Sequence, residues 1–516
     1  MNEKNKTNRD SGKKQRVKRR DFLKGLAVVP VFGSVLYKSF TKSAEAPAVI
    51  SKTTMKKPGD IVRLGIIGFG RRGETLARSA GFAHPDWIQK KKRAAVKNIM
   101  NKEFEGWQNQ EDLNVVITGI CDVFDLRAER GIIASRNGFG SAGSKGSLTG
   151  AKRFRHYLDL LQSDEIDAVI IATPDHHHAQ MTIDAVKAGK HVYCEKCMTR
   201  TEYEVHKVVN TIKKSDIVFQ LGHQFSQSES FAKAKEIIES NILGKLTLVE
   251  TTSNRNTPKG AWIRHVDENG NPKPGNSQTI DWDQWLGTNP KIPFSLDRYY
   301  NWTKWFTYGT GLSGQLLSHE FDSVNQLLGI GIPKSVVASG GIYFHKDNRE
   351  IPDTFHAVLE YPDHELTVLY SATLANSRQR GRVFMGHDAS MEVGDVLKVM
   401  ADQSSTRYKK KIKQGIIDPS LPLHTYQPGE NRVDAVTSAT EKYYATRGLM
   451  YTYKAGKWVD LAHLHIKEWL DCIRNGGTPS CNIDKGFEVT IACHMATKSY
   501  QEKRRVEWDP VEKRIV

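Results

Sequence analysis

Three groups of residues in this chain have types and spacings suited to chemistry. The first is Gly68-Phe69-Gly70-Arg71-Arg72-Gly73, a glycine turn that directly follows an apolar run. Between a strand and a helix, such a turn holds a dinucleotide. Gly68 permits the tight turn, Gly70 lets pyrophosphate approach the backbone, and Gly73 lets helix and strand pack closely. The free N–H groups and positive dipole end of the helix then face the phosphates. Asp122, which ends a second apolar run, is placed to accept hydrogen bonds from the adenosine ribose. A carboxylate there repels a 2′-phosphate and favours NAD, whereas the nearby Arg127 keeps NADP open. The second group is His176-His177-His178. Three consecutive histidines do not chelate one ion with normal geometry, and no matching Cys or carboxylate spacing follows, so no metal is expected. The third is Cys194 and Cys197, a C-x-x-C pair. No partner pair follows, which favours buried, inert thiols over a redox couple or half a zinc site.

These residues need elements to carry them. Residues 61–68 form an apolar run closed by glycine, as in a parallel strand buried on both faces. Similar runs at 115–120, 168–172, 191–193 and 218–221 alternate with helical stretches at 74–79 and 181–188. A basic, partly helical insertion at 80–113 accounts for the long gap between the glycine turn and Asp122. Alternating strands and helices predict an α/β Rossmann domain, a doubly wound parallel sheet. After about residue 223, strand-like stretches at 246–252, 336–339, 355–361, 366–372 and 383–386 alternate or are rich in Thr, Val and Tyr. They predict an α+β domain with one open, mostly antiparallel sheet. Amphipathic helices are expected at 463–474 and 487–500.

The 516 residues suffice for two or more domains. The net charge of +17 is concentrated in residues 1–24 and in runs at 90–93 and 409–411. No interleaved aromatic pattern accompanies that charge, so nucleic acid is not an expected partner. Lys18-Arg19-Arg20-Asp21-Phe22-Leu23-Lys24 resembles a twin-arginine export signal. The apolar stretch 25–36 is too short to span a bilayer comfortably and fits a signal peptide. Ala44-Glu45-Ala46 offers a cleavage site, although Pro47 after the cut is unusual. The expected layout is a signal peptide at 1–46, a linker at 47–60, a Rossmann domain at 61–222, and a substrate and oligomerisation domain at 223–516, with an irregular insertion at 401–457. The expected location is the periplasm after passage through the twin-arginine machinery. An uncleaved signal would leave the protein tethered to the inner membrane.

Ala172-Thr173-Pro174-Asp175-His176-His177-His178 and Ala188-Gly189-Lys190-His191-Val192-Tyr193-Cys194-Glu195-Lys196 resemble the glucose–fructose oxidoreductase / inositol dehydrogenase / MocA family. Asp281-Trp282-Asp283-Gln284-Trp285-Leu286-Gly287, Tyr308-Gly309-Thr310-Gly311, His319-Glu320-Phe321-Asp322, Pro352-Asp353-Thr354 and Trp508-Asp509-Pro510 continue the likeness in order to the C-terminus. The resemblance implies that Thr173, Pro174, His176, Glu195 and Lys196 border the cofactor and that His178 lies near the nicotinamide and substrate. It further implies homo-oligomers through the open sheet.

The family's Glu-Lys-Pro appears as Glu195-Lys196-Cys197. The resemblance gives Lys196 the substrate hydroxyl, where an ammonium stabilises developing alkoxide. Cys197 in place of proline frees the local backbone. His319 matches the family's catalytic histidine, and imidazole is the natural proton acceptor when a secondary alcohol becomes a ketone. Where the family often carries Asp, four residues earlier, this chain has Gln315, which positions a hydroxyl but cannot take its proton. Asp322 is placed to orient the imidazole. Trp262, Trp302, Trp305, Tyr299 and Tyr300 suit the apolar face of a pyranose or core packing equally, with Trp305 the candidate for sugar contact.

The function expected is an exported NAD(P)-dependent oxidoreductase acting on a ring hydroxyl or ketone of a carbohydrate. Free dinucleotide is scarce outside the cytoplasm, so the cofactor would be tightly held. Two alternatives are a redox-neutral glycoside hydrolase or lyase working through a keto intermediate, and a non-catalytic sugar-binding protein.

Overall fold

The apolar runs that alternate with helices form a six-stranded sheet. Its strands are β1 (Val62–Ile67), β2 (Val115–Cys121), β3 (Lys152–Phe154), β4 (Ala168–Ile171), β5 (His191–Cys194) and β6 (Phe219–Leu221). Every residue of β4, β5 and β6 is buried, as expected of strands covered on both faces. All neighbours are parallel, in the order β3-β2-β1-β4-β5-β6. The order reverses between β1 and β4, so a crevice opens beyond their carboxyl ends. This is where the glycine turn and Thr173 lie. The computed structural model describes residues 57–516 except 58, 99–100, 102, 140–149, 259–274, 395, 427–450 and 455–456. The export motif, its cleavage site and Trp262 therefore lie outside the described residues.

The helices expected at 74–79 and 181–188 begin earlier, at Arg71 and Asp175. The crossover helices are α1 (Arg71–Ser79), α2 (Pro85–Lys97) and α3 (Glu103–Gln108) in the basic insertion, α4 (Asp125–Ser135), α5 (Asp175–Lys187) and α6 (Glu202–Lys213). A capping box of Thr201 and Glu204 starts α6.

The second sheet has ten strands. They are β7 (Leu246–Thr252), β8 (Ser335–Gly341), β9 (Thr354–Tyr361), β10 (Leu366–Thr373), β11 (Arg382–Gly386), β12 (Ala389–Val393), β13 (Leu397–Ala401), β14 (Pro422–Tyr426), β17 (Val506–Asp509) and β18 (Arg514–Ile515). A separate hairpin pairs β15 (Tyr451–Lys454) with β16 (Lys457–Asp460). The order is β14-β13-β12-β11-β7-β10-β9-β8-β17-β18, and only β7 and β10 pair in parallel. Alternate residues of β10 are buried, so one face meets the core. Helices α7 (Ser318–Leu328) and α9 (Ile483–Glu502) share that core with Val336, Leu359 and Val368.

Helix α8 (Leu461–Asn475) departs from the expected division at residue 222. Its Ile466, Trp469 and Leu470 join the core formed by Val62, Leu64, Ile66 and Ile170 of the parallel sheet. Trp469 also donates its indole N–H to the Val218 carbonyl at 3.2 Å. Its amphipathic pattern marks an apolar face but does not say which sheet covers it. The stretch 401–457 is also more regular than expected, since it contains β14 and the β15 strand. Among the described residues, no helix is long and apolar enough to cross a membrane.

Candidate active site

The turn after β1 is shaped by sterics. Gly68 has φ +86°, and a Cβ there would meet the Ala172 carbonyl oxygen at 2.8 Å. A Cβ on Gly73 would fall 2.1 Å from the Gly68 carbonyl oxygen, so helix and strand can approach only through glycine. Gly70 caps α1 without any side-chain bond to the helix N-terminus. The nearest atom to a Cβ on Gly70 would be Nη1 of Arg127, at 3.1 Å. Phe69 turns its buried ring toward Gly131 of α4 and contributes its N–H to Asp122 Oδ2 at 2.6 Å. The other carboxylate oxygen accepts the Phe124 N–H at 2.8 Å. Burial raises the Asp122 carboxyl, while Arg127 and these two N–H groups oppose the rise. Asp122 thus props the glycine turn as well as facing the crevice.

A cavity of about 630 Å³ occupies the crevice. Gly68, Gly70, Asp122, Thr173, Lys196 and Gln315 line it, and Arg71 and Pro174 extend the wall. An uncapped helix start, a glycine whose Cβ position meets only the movable end of Arg127, and an acid at the end of β2 fit a nicotinamide dinucleotide. Arg72 and Glu195 also line the cavity. The Arg72 Nε meets Glu195 Oε1 at 2.7 Å and its Nη2 meets Gln224 Oε1 at 3.2 Å. Burial works against the Arg72 charge, but Glu195 and Tyr193 more than restore it. Glu195 is therefore a brace between β5 and α1.

Thr173, Pro174 and Asp175 start α5, and the three histidines follow. His176 and His177 both direct Nε2 at the Trp285 carbonyl, at 2.8 and 2.9 Å. Burial keeps both rings neutral, His177 falling to about 4. They bind the start of α5 to the aromatic segment. His178 points the other way, with Nδ1 2.6 Å from the Cys197 carbonyl and Nε2 2.8 Å from the Thr173 carbonyl. It ties the two loops that flank Lys196, and it does not line the cavity.

Lys196 follows β5, is buried, and donates from Nζ to the Gln315 carbonyl at 2.7 Å. Burial lowers its ammonium below the lysine value, while Asp175 and Glu195 pull it upward. Asp175 in turn accepts both the N–H and the O–H of Thr310, at 3.1 and 2.9 Å. Cys197 does not leave this loop open, because its Sγ lies 3.1 Å from a Cβ position on Gly314. All six cysteines are free, and burial pushes the Cys197 thiol to about 12.

Gln315 sits in a π-helical turn, Ser313–Leu317, directly before α7. Such turns cluster at functional sites. The Gln315 side-chain Nε2 is buried without a partner beside Lys196, as suits a hydroxyl ligand. His319, one turn later, does not line the cavity. Its ring packs 5.1 Å from Phe225 and 5.4 Å from His223, and its Nδ1 is buried without a partner. Burial drives the His319 imidazolium far below its ordinary range, and Lys196, His223, Arg72 and Arg255 add to that. Asp322 does not reach His319 directly; its Oδ1 lies 3.6 Å from Nδ1 of His223. Trp305 is covered by the Arg298 guanidinium at 4.7 Å and packs with Tyr299, Tyr300 and Tyr308, whereas Trp302 lines the cavity. Core packing thus accounts for Trp305, whereas Trp285 and Trp302 are indoles that line the cavity.

His223 and Gln224 were not singled out from the sequence. The available signal was positional: both lie just after β6, at the same carboxyl end of the sheet as Thr173 and Glu195.

Residues 62–223 match the profile described as "Oxidoreductase family, NAD-binding Rossmann fold", and residues 276–508 match its "C-terminal alpha/beta domain". Levoglucosan dehydrogenase of Pseudarthrobacter phenanthrenivorans is 27% identical over 36% of this chain and 41% of its own length. The chain thus spans about two-fifths of that relative. Myo-inositol 2-dehydrogenase of Thermotoga maritima is 28% identical over 70% of this chain and 85% of its own length. A solved levoglucosan dehydrogenase in complex with NADH and levoglucosan shares the fold, with a TM-score of 0.56 at 16% identity over 87% of this chain and 99% of its own. With both domain profiles matched in order on this frame, the chain belongs to the glucose–fructose oxidoreductase / inositol dehydrogenase / MocA family of oxidoreductases.

Proposed function

We propose that this protein is an exported oxidoreductase that keeps one nicotinamide dinucleotide bound and oxidises or reduces a ring hydroxyl or ketone of a sugar or glycoside. The observation that carries this reading is that Lys196 and Gln315 line the same cavity as Gly68, Gly70 and Asp122. The bound dinucleotide supplies the hydride acceptor or donor. Lys196 hydrogen-bonds the reacting oxygen and stabilises its negative charge. The unpartnered Gln315 amide orients the same or a neighbouring hydroxyl. His319 exchanges the hydroxyl proton after a ligand-induced approach to the cavity. Trp302 offers an aromatic face to the sugar ring. Asp122 favours NAD, and the exported location follows from the twin-arginine motif.

Tight retention is supported by a strap on the loop after β2, where Asp122 and Val123 line the cavity. The Asp125 N–H donates to the Thr279 carbonyl at 3.0 Å, the Asp281 N–H donates to the Val123 carbonyl at 2.8 Å, and Phe124 bridges Ile280. The loop after β2 is thereby sewn to residues 279–281. The same strap favours a second reading, in which a captive cofactor is reduced and reoxidised within one turnover and the net reaction cleaves a glycoside. The test is to offer glycosides to the purified protein while recording nicotinamide absorbance and product. Stable reduction supports the dehydrogenase. Cleavage without net reduction supports the second reading. No change in either with any sugar contradicts both and leaves a binding protein.

A further inference from the structure

Four buried polar atoms without partners lie together behind the reacting groups: His319 Nδ1, His223 Nε2, and both carboxyl oxygens of Asp322. Buried polar atoms are nearly always paired, so such a cluster needs a reason. The His223 and His319 rings meet edge to face at 5.4 Å, close enough for an N–H···N contact after a small rotation. On its other side His223 has Nδ1 3.6 Å from Asp322 Oδ1. Gln326 donates its amide to the Ser480 carbonyl at 3.0 Å and, from beside the carboxyl, also favours the ionised form of Asp322. The loop carrying His223 is fixed by its own carbonyl, which accepts the Cys481 thiol at 3.1 Å. Catalytic hydrogen bonds are commonly long before substrate binds.

Resting on the oxidoreductase reading above, we propose that His223 is a positioning residue that links His319 to the Asp322 carboxyl and passes the substrate proton between them. With Asp322 ionised, its carboxylate holds the proton of His223 on Nδ1. His223 Nε2 then accepts from His319 Nδ1–H, which leaves His319 Nε2 as a lone pair for the substrate hydroxyl. On oxidation the substrate O–H bond breaks and its proton joins His319 Nε2. The His319 Nδ1 proton moves to His223 Nε2, and the His223 Nδ1 proton moves to Asp322. The hydride is accounted for by the nicotinamide dinucleotide. Three protons shift, both imidazoles stay neutral, and the carboxylate becomes a carboxylic acid. In reduction the same chain runs backward, with His319 donating Nε2–H to the ketone.

The surroundings explain why a relay is useful. His319 faces Lys196, Arg72, Arg255 and His223, and burial joins them in opposing an imidazolium. His223 faces Lys196 and His465 as well, and burial lowers it to about 3. Asp322 faces His223, Lys485, Glu488 and Cys481, and burial raises it to about 8, which makes it the better proton acceptor of the three.

The test uses the dinucleotide-loaded full chain labelled with ¹⁵N-histidine, whose ring shifts report each tautomer without substrate. His319 and His223 are expected to switch together from Nε2–H to Nδ1–H as pH rises through about 8. Asp322→Asn and His223→Phe should each abolish the switch at His319. In single-turnover hydride transfer, His223→Gln can hold His319 but cannot pass a proton, so the rate should fall about 10²-fold. A His319 tautomer indifferent to pH in the wild-type protein overturns the proposal, as does a wild-type rate in His223→Gln. A correct tautomer switch in a protein that oxidises no sugar would leave the relay standing and overturn the function reading instead.

Discussion

The Lys196 ammonium reaches from the end of β5 to the Gln315 carbonyl in the turn before α7, a 2.7 Å bond that joins the two halves of the site. A flexible four-carbon side chain is held at a fixed place because its charge has one backbone acceptor there. Replacing Lys196 with Ala should lower hydride transfer by about 10³-fold, the scale of an oxyanion-stabilising donor. Bound dinucleotide, measured after denaturation, should be unchanged. Unimpaired turnover would instead remove Lys196 from the chemistry.

Gly73→Ala tests the cradle. Its Cβ would lie 2.1 Å from the Gly68 carbonyl oxygen, and α1 would have to move away from β1. The expected cost is about 1–3 kcal/mol of stability, with loss of bound dinucleotide. Thermal unfolding with and without added NAD reads both effects.

The strap should control cofactor exchange. Ile280 is 1% exposed and bridges Phe124. Ile280→Ala should speed dinucleotide loss during dialysis, while Lys196 chemistry with saturating cofactor is retained. Equal retention in both proteins would assign the strap a purely structural role.

Asp322 makes stability depend on pH. Burial lifts its carboxyl from 3.8 to about 8. Between those values the native state holds a proton that the unfolded chain has lost. This favourable contribution is complete below about pH 4 and disappears as pH rises through about 8. The total is on the order of 5 kcal/mol. Asp322→Asn should therefore show a flatter fall in melting temperature from pH 5 to 9 than the wild-type protein.

The cofactor half of the site was readable because its chemistry is local. Gly68, Gly73 and Asp122 act through a turn and a strand end, and adjacent residues announce both. Strands β9 and β10 were equally plain, because their period-two burial survives in sequence. What was missed depends on distant packing. His178 has the residue type of a ligand, but its two carbonyl partners come from separate loops. Asp322 lies three residues from His319, yet the carboxyl faces His223, some hundred positions earlier. Helix α8 has an apolar face whose partner sheet was settled only by the chain's return.

The decisive measurement is to denature the purified full-length protein and quantify the released dinucleotide by mass spectrometry, before and after adding a glycoside. About one NAD per chain is expected from the crevice between β1 and β4, with a glycoside-dependent reduced fraction or a cleaved product. A protein that releases no dinucleotide and does not regain any at millimolar NAD would contradict the account.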